Sequence, residues 1–136
     1  MIRALNLLVV VPSITAAGVA AAASAPAQPP PPNPGPCTFT LSAPQVVQVD
    51  GVSKVTATIT PTGCIPPWQP RQSVACIHVD GQGQCMQSIE KAVAQVYFEP
   101  YTPGATYVAT GRGCGGIYPY EPDPNCALLG PVSATL

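Results

Sequence analysis

The chain has 136 residues, of which 46% are hydrophobic and only 8% charged, with a formal net charge of −1. Its few cations never cluster, which excludes a phosphate-binding surface and with it a nucleic-acid partner. Nineteen prolines and six cysteines point instead to a helix-poor, disulfide-bonded protein of an oxidising compartment.

Residues 1–27 read as a secretory signal peptide: Arg3 supplies a cationic head, Leu5 to Val11 an apolar stretch, and small residues fill the end. The best small-x-small site is Ala25-Pro26-Ala27, with cleavage before Gln28; Ala23 offers a second site. The competing reading is an uncleaved anchor helix, long enough to span a bilayer but interrupted by Pro12 and weakly hydrophobic in its alanine half. Membrane association is expected only through such a retained segment. Cys37 follows Pro34-Gly35-Pro36 and so stands too far from the signal to carry a lipid.

Residues 28–36, Gln-Pro-Pro-Pro-Pro-Asn-Pro-Gly-Pro, read as a polyproline II linker that has few backbone donors and serves as a stiff spacer. Beyond the signal the chain keeps Lys54, Arg71, Lys91 and Arg112 against Asp50, Asp80, Glu90, Glu99, Glu121 and Asp123, a formal charge of about −2.

Residues 37–136 read as one β domain. Cys37 to Ala43 and Gln45 to Val49 form an edge strand broken at Pro44 by a bulge or a switch of sheet. Asp50-Gly51 is a turn. From Ser53 to Thr62 the chain alternates, predicting Val55, Ala57 and Ile59 towards the core and Thr56, Thr58 and Thr60 towards water. Ser73 to Val79 is a third strand, Asp80-Gly81 a hairpin turn, and Gln84 to Gln87 the return. Ser88 to Ala94 could hold a single helical turn. Ala92 to Phe98 and Ala105 to Gly111 are further strands. Residues 127–136 make the last, with an interruption expected at Gly130-Pro131. About seven antiparallel strands predict an all-β sandwich of immunoglobulin-like type.

The cysteines lack the paired spacing and histidines of a zinc site, so disulfides are expected and no metal or cofactor. Six cysteines allow many connectivities, and strand geometry ranks them. A two-residue turn at Asp80-Gly81 sets Cys76 opposite Cys85 at a non-hydrogen-bonded position, where Cα atoms come close enough to bridge. Cys114 ends one strand and Cys126 begins the next. Cys37 starts the first strand and Cys64 ends the second, and antiparallel neighbours place those two ends together. The expected bridges are therefore 37–64, 76–85 and 114–126.

The segment Tyr101-Thr102-Pro103-Gly104-Ala105-Thr106-Tyr107 resembles the turn before the sixth strand of fibronectin type III and related immunoglobulin-like domains, where the pattern is Leu-x-Pro-Gly-x-x-Tyr. That resemblance implies a tyrosine corner, with the Tyr107 ring in the core and its hydroxyl bonded to nearby backbone. Tyr101 stands where the family prefers Leu, and Trp68 lies among prolines and not within a strand. The overall build also resembles small exported proteins of actinobacteria.

No catalytic constellation is legible. His78 is the one histidine and reads as a strand residue. The spacing of Glu90, Glu99, Glu121 and Asp123 sets no two carboxylates together. The glycine-rich run Arg112 to Gly116 leads to no helix and reads as a flexible strand exit. What remains is a binding surface. In an immunoglobulin-like sandwich the connections Ile65 to Gln72 and Gly115 to Asn125 share one end, which would gather Trp68, Tyr118 and Tyr120 at a tip braced by bridges 37–64 and 114–126. The expectation is a monomeric, non-enzymatic domain, secreted or in the cell envelope, binding a protein or envelope component through that tip. The alternative is a secreted hydrolase (protease) inhibitor presenting the 114–126 loop, and a secreted hydrolase comes third.

Overall fold

Alternating β-branched and small residues, punctuated by Asp-Gly, Pro and Gly, leave little for the chain to form but strands. The computed structural model describes residues 35–89, 92–120 and 125–136, and their regular structure is all β. The expected signal peptide, most of the proline-rich linker, Glu90, Lys91, Glu121 and Asp123 lie outside those residues.

The described residues form eight strands: β1 (Cys37–Leu41), β2 (Gln45–Val49), β3 (Val52–Cys64), β4 (Gln69–Val79), β5 (Gln82–Ile89), β6 (Ala94–Phe98), β7 (Thr106–Gly116) and β8 (Cys126–Thr135). The expected count of about seven is exceeded because the first strand is divided. β1 and β2 lie end to end along one side of β3, with β6 on the other side. The division is a bulge within one sheet: Leu41 pairs with Ile59 and Gln45 with Thr56, so the segment around Pro44 carries one residue more than its partner. The second sheet has the order β5-β4-β7-β8, and every pairing in both sheets is antiparallel.

The two sheets face one another across a core of Phe39, Val55, Ala57, Ile59, Val96 and Phe98 from the first and Ala75, Ile77, Tyr107 and Ala109 from the second. Val55, Ala57 and Ile59 point inward as their alternation requires. Thr56 departs from expectation, being 1% exposed on the opposite face. β3 is the central strand there, and Thr56 sits in a cross-strand row between Gln45 and Tyr97. Its hydroxyl donates to the Val96 carbonyl at 2.9 Å and accepts from the Gln95 amide at 3.1 Å, so the buried polar atom is satisfied.

The Asp80-Gly81 turn is as expected. Val79 pairs with Gln82, and both turn residues take positive φ (48° and 77°), the signature of a two-residue primed turn. Asp50-Gly51 closes the β2–β3 hairpin in the same way. Other boundaries move. β4 starts at Gln69, ahead of the expected Ser73, because the chain absorbs Pro70 in a bulge against Gly115. The return strand reaches Ile89, where Gln87 was expected to end it, and no helix forms among the described residues of 88–94. β6 begins at Ala94 rather than Ala92, which takes φ 51° and is buried. The Ser73 hydroxyl fixes it there by donating to the Ala92 carbonyl at 2.6 Å. β8 carries its interruption where expected: Gly130 and Pro131 together oppose Thr110.

The largest correction concerns Arg112 to Gly116. This run is strand, the last five of the eleven residues of β7, and Gly113 to Gly116 are buried. β1 crosses directly over it. A Cβ on Gly113 would lie 2.4 Å from atoms of the Phe39 ring, and one on Gly115 would lie 2.5 Å from the Cys37 sulfur. The glycines serve close approach between sheets, not flexibility.

Candidate functional site

All three expected bridges form: Cys37–Cys64, Cys76–Cys85 and Cys114–Cys126, each with Cα atoms 4.0 Å apart. Each joins directly opposed residues of neighbouring strands. Disulfides of this kind belong to an oxidising, extracytoplasmic environment.

Bridges 37–64 and 114–126 meet at one end of the domain, since Gly115 lies against Cys37. Two connections emerge there. One is residues 65–68, four residues long and shorter than expected because β4 begins at Gln69. The other is residues 117–125, shortened by the extension of β7. Gln69 pairs with Gly116, so the two connections leave side by side. The first is folded by Ile65 N–H donating to the Pro36 carbonyl (2.8 Å) and Trp68 N–H to the Ile65 carbonyl (3.0 Å). The second is held by Tyr120 N–H donating to the Ile117 carbonyl (2.9 Å), and its far end by Gly115 N–H donating to the Asn125 carbonyl (3.1 Å).

The three expected aromatics are all at this end, in two different roles. Tyr118 and Tyr120 are 70% and 71% exposed. Trp68 is half-buried and packs against the core, forming the base of the tip and not its surface. Two further residues complete the site and were not anticipated. Ile65 is 69% exposed. Arg71 holds its guanidinium 5.5 Å above the Tyr118 ring centre, a cation–π contact that orders an otherwise free ring. Its signal in the sequence was weak: an Arg among prolines beside Trp68. Among the described residues the result is an aromatic, largely apolar end with Arg71 as its cation.

Tyr107 sits as the fibronectin-type turn implies. Its ring is fully buried and its hydroxyl accepts from the Thr102 N–H at 2.8 Å. Phe98 meets the ring edge-on at 5.9 Å, and Tyr101, the departure from the family pattern, stacks obliquely at 6.5 Å.

His78 is an exposed β4 residue whose ring lies over Gly83 on the neighbouring strand. Among the described residues no three His, Cys, Asp or Glu side chains group as metal ligands. A shallow depression of about 330 Å³ lies between β4, β7 and β8, walled by Val74, Thr110, Leu128 and Pro131, with Arg112 as its ionisable residue.

No known protein family matches the chain, and no curated protein or solved structure matches it either.

Proposed function

We propose that the chain is an exported, non-enzymatic immunoglobulin-like module, secreted or held in the cell envelope, that binds a protein or envelope component through the end bearing Ile65, Trp68, Tyr118 and Tyr120. The fold assignment rests on two features. If β1 and β2 count as one interrupted strand, the strand order is three against four, as in fibronectin type III domains, and Tyr107 makes the corner contact that such domains use.

The observation that carries the binding assignment is the pair of exposed rings, Tyr118 and Tyr120, on a connection whose ends are joined by the Cys114–Cys126 bridge. Large rings exposed on a pinned loop bury much area on binding at small entropic cost, as binding surfaces require.

The test is capture from native culture medium and envelope extract by the purified protein and by Tyr118→Ala/Tyr120→Ala. These residues are exposed, so the double variant should keep its melting temperature. Loss of two anchor rings should weaken binding by roughly thirtyfold, the equivalent of about 2 kcal/mol. Equal capture by both proteins would remove this end of the domain from consideration. Trp68→Ala is the wrong probe, because it also strips packing from the core.

A further inference from the structure

A sheet with open edges invites pairing with another chain, and folded proteins guard those edges with prolines, bulges, charges or short strands. Among the described residues three of the four sheet edges are guarded. The β1–β2 edge is broken at Pro44. β8 is kinked by the Gly130-Pro131 bulge. β6 has five residues and runs into Glu99-Pro100. β5 has none of these devices. Its eight residues, Gln82-Gly83-Gln84-Cys85-Met86-Gln87-Ser88-Ile89, contain no charge and no proline, stay in unbroken register with β4, and are all exposed except the half-buried Ser88.

The hairpin fixes which backbone groups are free. Val79 and Gln82 flank the two-residue turn and form a hydrogen-bonded pair, so Gln82, Gln84, Met86 and Ser88 bond inward to β4. Gly83, Cys85, Gln87 and Ile89 then point their N–H and C=O groups away from the sheet. Among the described residues no backbone partner meets them.

We propose that β5 pairs antiparallel with β5 of a second copy of this chain, about a two-fold axis at Met86, joining the two four-stranded sheets into one of eight strands. This register sets Gly83 opposite Ile89 of the second copy and Cys85 opposite its Gln87, so every outward donor and acceptor finds a partner. It brings no like charges together, because the strand has none. Met86, 51% exposed and on the core-facing side opposite Ala75, meets its own copy at the axis. The pairing is isologous and closes at two. It uses the side of the domain, leaves the aromatic end free, and stands independently of the function proposed above.

Sedimentation of the exported protein over a concentration series tests this. A monomer–dimer equilibrium without larger species is expected. Met86→Lys and Met86→Glu each place like charges on the axis and should weaken dimerisation roughly tenfold, while their equimolar mixture should restore it. Gln87→Pro removes an outward N–H without touching the β4 ladder and should also give a monomer. Circular dichroism is the control that each variant is folded. A wild-type protein that stays monomeric up to its solubility limit overturns the proposal. So does a dimer that survives both Met86→Lys and Gln87→Pro.

Discussion

The Tyr107 hydroxyl shows how much of this fold hangs on single polar atoms. The ring lies in a core otherwise made largely of Val, Ala and Ile, and its oxygen accepts the N–H of Thr102 at the turn that leads into β7. Removing that oxygen leaves the packing of the ring against Phe98 intact but strands a backbone donor. Tyr107→Phe should therefore cost about 1 kcal/mol, read as a lower urea midpoint at unchanged slope. A midpoint equal to wild type would mean that water replaces the hydroxyl without penalty. This residue was legible in the sequence because a tight turn followed by a buried aromatic is a local pattern, contained in seven residues. Thr56 was not. Alternation places it on the wet face, and only the arrival of β2 and β6 on both flanks buries it. Burial of a central-strand residue depends on neighbours that are distant in sequence, and periodicity carries no information about them.

At the level of whole elements, turns were readable and strand ends were not. Asp50-Gly51 and Asp80-Gly81 announce their hairpins because positive φ at both turn positions needs such residues. The second hairpin then sets the register that brings Cys76 to Cys85. The end of β7 misled for the opposite reason. Arg112-Gly113-Cys114-Gly115-Gly116 has the composition of a loop, yet these glycines lie in a ladder because β1 packs where side chains would be. The site's geometry follows from this, since the extended β7 and β4 shorten both connections and hold Tyr118 beside Arg71. Gly113→Ala tests the reading. A flexible exit would gain from the lost backbone freedom of the unfolded chain, by roughly 0.4–1 kcal/mol. A close-packed strand must instead push Phe39 aside, at about 1–3 kcal/mol. Denaturation is expected to show the loss, and a gain would restore the loop reading.

On the scale of the molecule, the three disulfides divide the work of stability unequally. None links one sheet to the other, so face-to-face packing rests on the apolar interior, and each bridge ties two neighbouring strands. Among the described residues the ion pair Lys54–Glu99, at 3.0 Å, is partly exposed, and such pairs contribute about 0–1 kcal/mol. The bridges span 27, 9 and 12 residues in the order 37–64, 76–85 and 114–126. Loop-closure entropy alone gives about 3.5, 2.6 and 2.8 kcal/mol, a model-dependent ranking with 37–64 first. Burial widens the gap. Cys37 is 4% exposed and packs against Gly115, whereas Cys85 lies on the open β5 edge. Replacing Cys37 and Cys64 together by serine should thus cost more than replacing Cys76 and Cys85, because it also sets a hydroxyl where the sulfur filled the core. The first pair of substitutions should loosen the aromatic end as well, since Ile65 bonds to Pro36 directly beside that bridge. Thermal denaturation of the two double-serine variants, with hydrogen exchange at the Ile65 and Trp68 amides, separates the alternatives. Greater loss of stability without the 37–64 bridge, with faster exchange at those amides, is the expected result. A larger loss without the 76–85 bridge would mean that hairpin register, not the joining of β1 to β3, limits the stability of the domain.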